Sequence, residues 1–153
     1  AFGDALFTMV QAIGRIAGTA LWTRERVRDT FDEDFRELLS QVVPPERAVF
    51  DYTDADIDPE GVYPIDCKIN GMPTPCFVSK VANDDQCKNA TITCYHYEQH
   101  RRAFSSVVIF RDQTEITRRA LAQLSDVVGK QFASLGARDR IEAFLRKDVL
   151  GAL

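Results

Sequence analysis

Apolar residues in this chain follow two rhythms. Up to residue 41, and again beyond residue 86, they recur three or four apart, as on one face of a helix. Between residues 48 and 80 they alternate or form short runs, as in strands. Phe2, Leu6, Met9, Ile13 and Ile16 form the first helical stripe, with Asp4, Gln11 and Arg15 elsewhere on the wheel. This predicts an amphipathic helix over residues 1–22 whose stripe packs on the body or forms an interface with a second subunit. Phe31, Phe35, Leu38 and Leu39 mark a second helix, from about Thr23 to Gln41, that Pro44-Pro45 stops. A strand is expected over Ala48–Tyr52, and two more flank Asn70-Gly71. Asn83-Asp84-Asp85 then caps a helix over Gln86–Arg102. A buried strand follows at Ser106–Phe110, then a long helix from Asp112 or Thr114 to about Leu135, stopped by Gly136. Arg138–Leu150 forms a last amphipathic helix.

The order α-α-β-β-β-α-β-α-α predicts an α+β fold. Its sheet is small, four-stranded and mainly antiparallel, with helices on one face and an additional N-terminal helix. A length of 153 residues suits one domain with a real core and is short for two. The chain therefore reads as a single domain, with 1–22 as an accessory helix and 23–153 as the α+β core.

A two-residue Asn-Gly loop would make Ile69 and Met72 the flanking pair of the hairpin. Cys67 then faces Thr74, Asp66 faces Pro75 and Ile65 faces Cys76. One side of the hairpin carries Ile65, Cys67, Ile69, Cys76, Val78 and Lys80, and is the side to bury. The other carries Asp66, Lys68, Phe77 and Ser79. Pro73 and Pro75 lack an amide donor, which puts their strand at an edge or bulges it near its start.

Composition narrows the class. Apolar content of 45% and charged content of 27% are those of a globular chain. A net charge of −4 argues against a dedicated nucleic-acid coat, though a local basic patch remains compatible with it. The apolar N-terminal run is interrupted by Asp4 and Arg15. It matches neither a signal peptide nor a span of about 20 mostly apolar residues, so no membrane association is expected. Gly14 and Gly18 read as incidental helix glycines.

Candidate chemistry concentrates between Gly61 and His100, where all four cysteines and both histidines lie. Helix, three-strand meander, helix, strand is also the core order of the restriction-endonuclease-like fold. Metal-dependent nucleases of that fold place an acid on one strand and an (Asp/Glu)-x-Lys on the next. Their carboxylates hold Mg²⁺ and the lysine stabilises the charged transition state. Asp66-Cys67-Lys68 supplies an Asp-x-Lys, Asp51 an earlier acid and Glu37 a helix acid. The next strand reads Phe77-Val78-Ser79-Lys80, with no acid two before Lys80.

The cysteines lack the close C-x2–4-C pairs of structural zinc sites, so Cys67, Cys76, Cys87 and Cys94 read as core thiols. His96 and His100 read as a partly exposed pair, and the acids of Thr53–Glu60 as a solvated turn. No resident metal or cofactor is expected; Mg²⁺ enters only with the nuclease reading.

Val81-Ala82-Asn83-Asp84-Asp85, followed by Asn89-Ala90-Thr91-Ile92-Thr93, resembles a phrase carried after a strand by small bacterial and phage-borne domains. The likeness spans residues 62–110 and implies a bacterial or phage origin and a cytoplasmic setting. On balance the sequence favours a non-catalytic protein-binding or regulatory module that self-associates. Its partner would be a protein or a second copy, with nucleic acid not favoured. The alternative is a Mg²⁺-dependent nuclease using Asp66 and Lys68.

Overall fold

The computed structural model describes residues 30–151. The expected helix over 1–22, with Phe2, Leu6, Met9, Ile13 and Ile16, lies outside them. The chain divides into two compact units, residues 1–33 and 34–153. Of the first, only 30–33 are described; they open helix α1, which runs over 30–42. The second unit holds the rest of α1 and the whole sheet.

Strand β1 (Ala48–Tyr52) follows a single 3-10 turn begun by Pro45. β2 (Ile65–Ile69), β3 (Cys76–Val81), helix α2 (Asp84–Gln99) and β4 (Ser105–Phe110) come next. Helix α3 (Arg118–Ser125), strand β5 (Lys130–Phe132) and helix α4 (Arg138–Phe144) complete the unit, and α4 runs into a π turn at Leu145–Val149. The strands form one sheet in the order β1-β2-β3-β4-β5. β1, β2 and β3 pair antiparallel, whereas β3, β4 and β5 run parallel.

The α+β class stands, but the expected four-stranded, mainly antiparallel sheet is a five-stranded mixed one. The long helix expected from 112 to 135 is instead a short helix followed by β5. The helix ends at Ser125, and Lys130-Gln131-Phe132 returns to the sheet edge. The expectation of helices on one face is also corrected. Val107 and Ile109 of β4 join the core cluster that holds Phe35, Leu38 and Leu39 of α1 and Ile141 of α4. Val108 and Phe110, which alternate with them, join Cys87 of α2 and Ala120 and Leu124 of α3. Successive strand residues point to opposite faces, so α1 and α4 cover one side of the sheet and α2 and α3 the other. β4 is accordingly buried on both faces and reads as the unbroken apolar run VVIF, as a parallel central strand does.

The hairpin between β2 and β3 is also wider than expected. Ile69 pairs with Cys76 and Cys67 with Val78, so residues 70–75 form the connection. Pro73 and Pro75 supply no amide to a ladder there. Gly71 instead takes φ +93°, and Arg47 donates from Nε to the Asn70 carbonyl at 2.7 Å, tying the loop to the start of β1. The slip relative to a two-residue loop is an even number of residues, so the alternation is kept from Cys67 onward; Ile65, expected on the Cys67 side, instead packs with Phe77 and Tyr97. Cys67, Ile69, Cys76 and Val78 do share one buried side.

At β1 the faces cross over. Asp51 adopts φ +52°. Phe50 consequently lies beneath the Arg36 guanidinium of α1, 4.3 Å from its ring centre. Tyr52 instead meets Phe77, with ring centres 6.2 Å apart, in a third cluster with Ile65 and Tyr97.

Candidate functional site

The candidate site forms where β2 and β3 part. Their ladder ends at the Cys67–Val78 pair. One step further Asp66 comes opposite Ser79, and a side chain replaces the missing main-chain bond: the Lys80 amide donates to Asp66 Oδ2 at 2.9 Å. Beyond it opens a cleft of about 490 Å³ between the sheet and α2. It is lined by Tyr63, Asp66, Ser79, Gln86, Asn89 and Thr93, among others. Val62 and Ile92 also line it, exposed by 61% and 53%.

α2 sets one wall. Asn83 is its N-cap and accepts from the Gln86 amide at 2.9 Å, as the Asn-Asp-Asp pattern predicts. Gln86 in turn accepts from the Ala82 amide at 2.7 Å, so the end of β3 and the start of α2 are locked together. Asp84 accepts from the Thr117 amide at 2.9 Å, which joins α2 to α3. That main-chain bond, then the Thr117 hydroxyl, holds the Asp84 carboxyl below its ordinary range.

The loop between β1 and β2 sets the other wall. Asp58 is only 4% exposed. Its two carboxylate oxygens accept from the Val62 and Tyr63 amides, each at 2.8 Å. Part of the expected solvated acidic turn is thus a buried clamp that shapes the chain entering β2. Asp54 accepts from the Asp56 amide at 2.9 Å and from Arg102 Nε at 3.2 Å. Desolvation pushes its carboxyl up, but the amide and the guanidinium outweigh this and hold it below the usual value. Tyr63 stacks on His96 with ring centres 3.8 Å apart, and His96 Nε2 lies 2.8 Å from the Ile57 carbonyl oxygen. His96 is thereby fastened to the loop, and His100 lies beside it with ring centres 4.4 Å apart.

The four candidate catalytic residues do not converge. Glu37 accepts from Gln41 Nε2 at 3.0 Å, and Gln41 accepts from Arg138 of α4. Asp51 pairs with Arg36 at 3.1 Å on the exposed side of β1. Lys68 places its ammonium 4.2 Å from the centre of the Tyr52 ring, a cation–π contact. Asp66 caps the Lys80 amide. Lys80 itself directs its ammonium toward α1, 5.7 Å from the Phe35 ring centre. Two before it on β3, where a nuclease of the expected type carries its second acid, Val78 is fully buried. Among the described residues, no three His, Cys, Asp or Glu side chains are grouped to hold a metal ion.

All four cysteines are free and buried. Burial pushes the Cys67 and Cys94 thiols up to about 12 and Cys87 to about 11. They are therefore neutral packing groups at ordinary pH. Ser79, Gln86, Asn89 and Thr93 fall within the Gly61–His100 segment, but the sequence assigns none of them a site role. They are common residue types whose significance arises only once β3 and α2 come together. The Asn83 cap is the one available signal.

No protein-family model, curated protein or solved structure matches this chain. Among the described residues no helix is long and apolar enough to cross a membrane. The fold and site define an α+β unit whose mixed sheet is covered by helices on both faces and borders a polar cleft.

Proposed function

We propose that this chain is a non-catalytic protein-binding or regulatory module on a restriction-endonuclease-like core. It is of bacterial or phage origin, acts in the cytoplasm and self-associates. The core order supports the architecture: helix, antiparallel meander, helix, and a strand that returns parallel to the third. The observation that carries the non-catalytic reading is the employment of Asp66. Its carboxylate completes the backbone hydrogen bonding of β3 at 2.9 Å, while Val78 fills the neighbouring acid position with a buried methyl pair. A two-acid Mg²⁺ site needs a second oxygen ligand close by. Glu37 and Asp51 are held by partners on α1 and α4 or by Arg36.

The test is cleavage of single- and double-stranded DNA and RNA by the full chain with Mg²⁺ or Mn²⁺. Wild type, Asp66→Asn and Lys68→Ala are expected to give the same background. Metal-dependent cleavage by wild type that both substitutions abolish would overturn the reading in favour of the nuclease. Sedimentation velocity across a hundredfold concentration range tests self-association, and a monomer throughout would remove that part of the proposal.

A further inference from the structure

The far edge of the sheet carries a second feature. β5 is an edge strand, and among the described residues its ladder is with β4. Its residues line a groove of about 460 Å³ with α4. Phe132 and Phe144 form the floor, with ring centres 5.6 Å apart at a steep angle. Lys130 lies over both rings, 5.3 and 5.6 Å from their centres. Arg140 and Lys147 line the α4 side, and Asp148 is the lone acid.

A short strand bearing a lysine is an ordinary way to protect a sheet edge. Here the edge also has an aromatic floor and two further cations on the facing helix. Arg140 and Phe144 stand four apart on α4, and Lys147 lies three further on in the π turn that continues it; all three line the groove. Over seven residues that row extends about 10 Å, the reach of three to four strand residues. The opposite edge differs: β1 is kinked at Asp51 and carries the Arg36–Asp51 ion pair.

We infer that the β5–α4 groove binds an extended acidic peptide segment of a partner protein, which adds to the sheet beside Lys130–Phe132 and turns alternate Asp or Glu side chains toward Arg140 and Lys147. The main chain of β5 supplies the hydrogen bonds and α4 the selection for acids, the division of labour found in strand addition. A nucleic acid would meet the same cations. It would not satisfy the β5 edge. The inference rests on the binding-module reading but uses a different face from the Asp66 cleft, so the cleavage assay and a peptide-binding titration fail independently.

The experiment is a fluorescence-anisotropy titration of the full chain at low salt. Three labelled probes of equal length are compared: an alternating Glu-Val octapeptide, its Lys-Val counterpart and a single-stranded oligothymidylate. The Glu-Val peptide is expected to bind at least tenfold more tightly than either of the others. Its affinity should fall about tenfold or more in Arg140→Glu/Lys147→Glu and by several-fold as salt is raised to 0.5 M. Amide exchange at residues 130–132 should slow on binding. Equal affinity for the Glu-Val and Lys-Val peptides overturns the inference, as does tighter binding of the oligonucleotide. So does unchanged affinity in the charge-reversed variant. Both substitutions are at exposed positions, and an unaltered circular dichroism spectrum separates loss of binding from loss of fold.

Discussion

A buried carboxylate must recover from the protein the hydrogen bonds it gave up to water. Asp58 does so through the Val62 and Tyr63 amides. Asp58→Ala would leave both donors without their acceptor, and about 2–3 kcal/mol of stability should be lost. Asp58→Asn keeps one acceptor oxygen and should lose about half as much, and urea midpoints distinguish the two. The exposed acids act by titration instead. Main-chain and hydroxyl donors hold the Asp84 carboxyl below its ordinary value of 3.8, and Asp112 is lowered likewise by the Thr114 hydroxyl and amide. Their folded values lie below their unfolded ones, so the unfolded chain binds the extra protons as pH falls. Their stabilisation is complete above about pH 4 and is lost as pH drops through the folded values. Tm should therefore fall less steeply below about pH 4 in Asp84→Asn/Asp112→Asn than in wild type. The thiols make a third residue-scale prediction. At pH 8 the folded chain should react with iodoacetamide at well under a tenth of its rate in urea, because burial keeps Cys67, Cys87 and Cys94 protonated. Rapid labelling of the native chain would show that the packing around the cysteines opens.

At the scale of elements, Gly71 and Val78 mark two constraints on the β2–β3 hairpin. A Cβ at Gly71 would sit 2.5 Å from Arg47 Nε on a backbone with φ +93°. Gly71→Ala should cost about 1–2 kcal/mol, from left-handed strain and displacement of the arginine that holds the loop. Val78→Glu would restore the acid position that a nuclease needs. It would also put an unpaired carboxylate against Phe35 and Leu38 in the core, and should destabilise the chain by several kcal/mol without conferring cleavage. The same hairpin shows what is legible in the sequence. Alternation assigns Cys67, Ile69, Cys76 and Val78 to the buried face, and an even slip in register preserves alternation. Register itself is not legible, because Asn70-Gly71 imitates a tight hairpin while the prolines that widen it act through the donors they lack. β5 escapes notice because three residues are too few to establish a strand rhythm after a helical run. The use of Asp66 as a substitute main-chain acceptor has no pattern at all. It depends on where the β2–β3 ladder ends, and so does the position of the cleft.

At the scale of the molecule, the unit over 34–153 has its core on both faces of one sheet. β4 links the two faces by contributing Val107 and Ile109 to one and Val108 and Phe110 to the other. Disruption on either side should therefore propagate through β4. A chain beginning at residue 30 should unfold in a single urea transition, with circular dichroism and Tyr fluorescence coincident. Two separated transitions would mean that the faces are energetically independent.

The mixed sheet has a consequence for synthesis. β1, β2 and β3 pair with their neighbours in sequence, so the meander can form as soon as it leaves the ribosome. The other side of β3 must wait for β4, whose last residue, Phe110, follows Val81 only after all of α2 has been made. At roughly 5–20 residues per second that interval lasts roughly 1.5–6 s. Throughout it the nascent chain presents a bare, valine-rich strand edge of the kind that nucleates aggregation. Demand for chaperones should therefore peak between translation of β3 and of β4, and slowing translation within the α2 codons should lower soluble yield more than slowing it within those of α4.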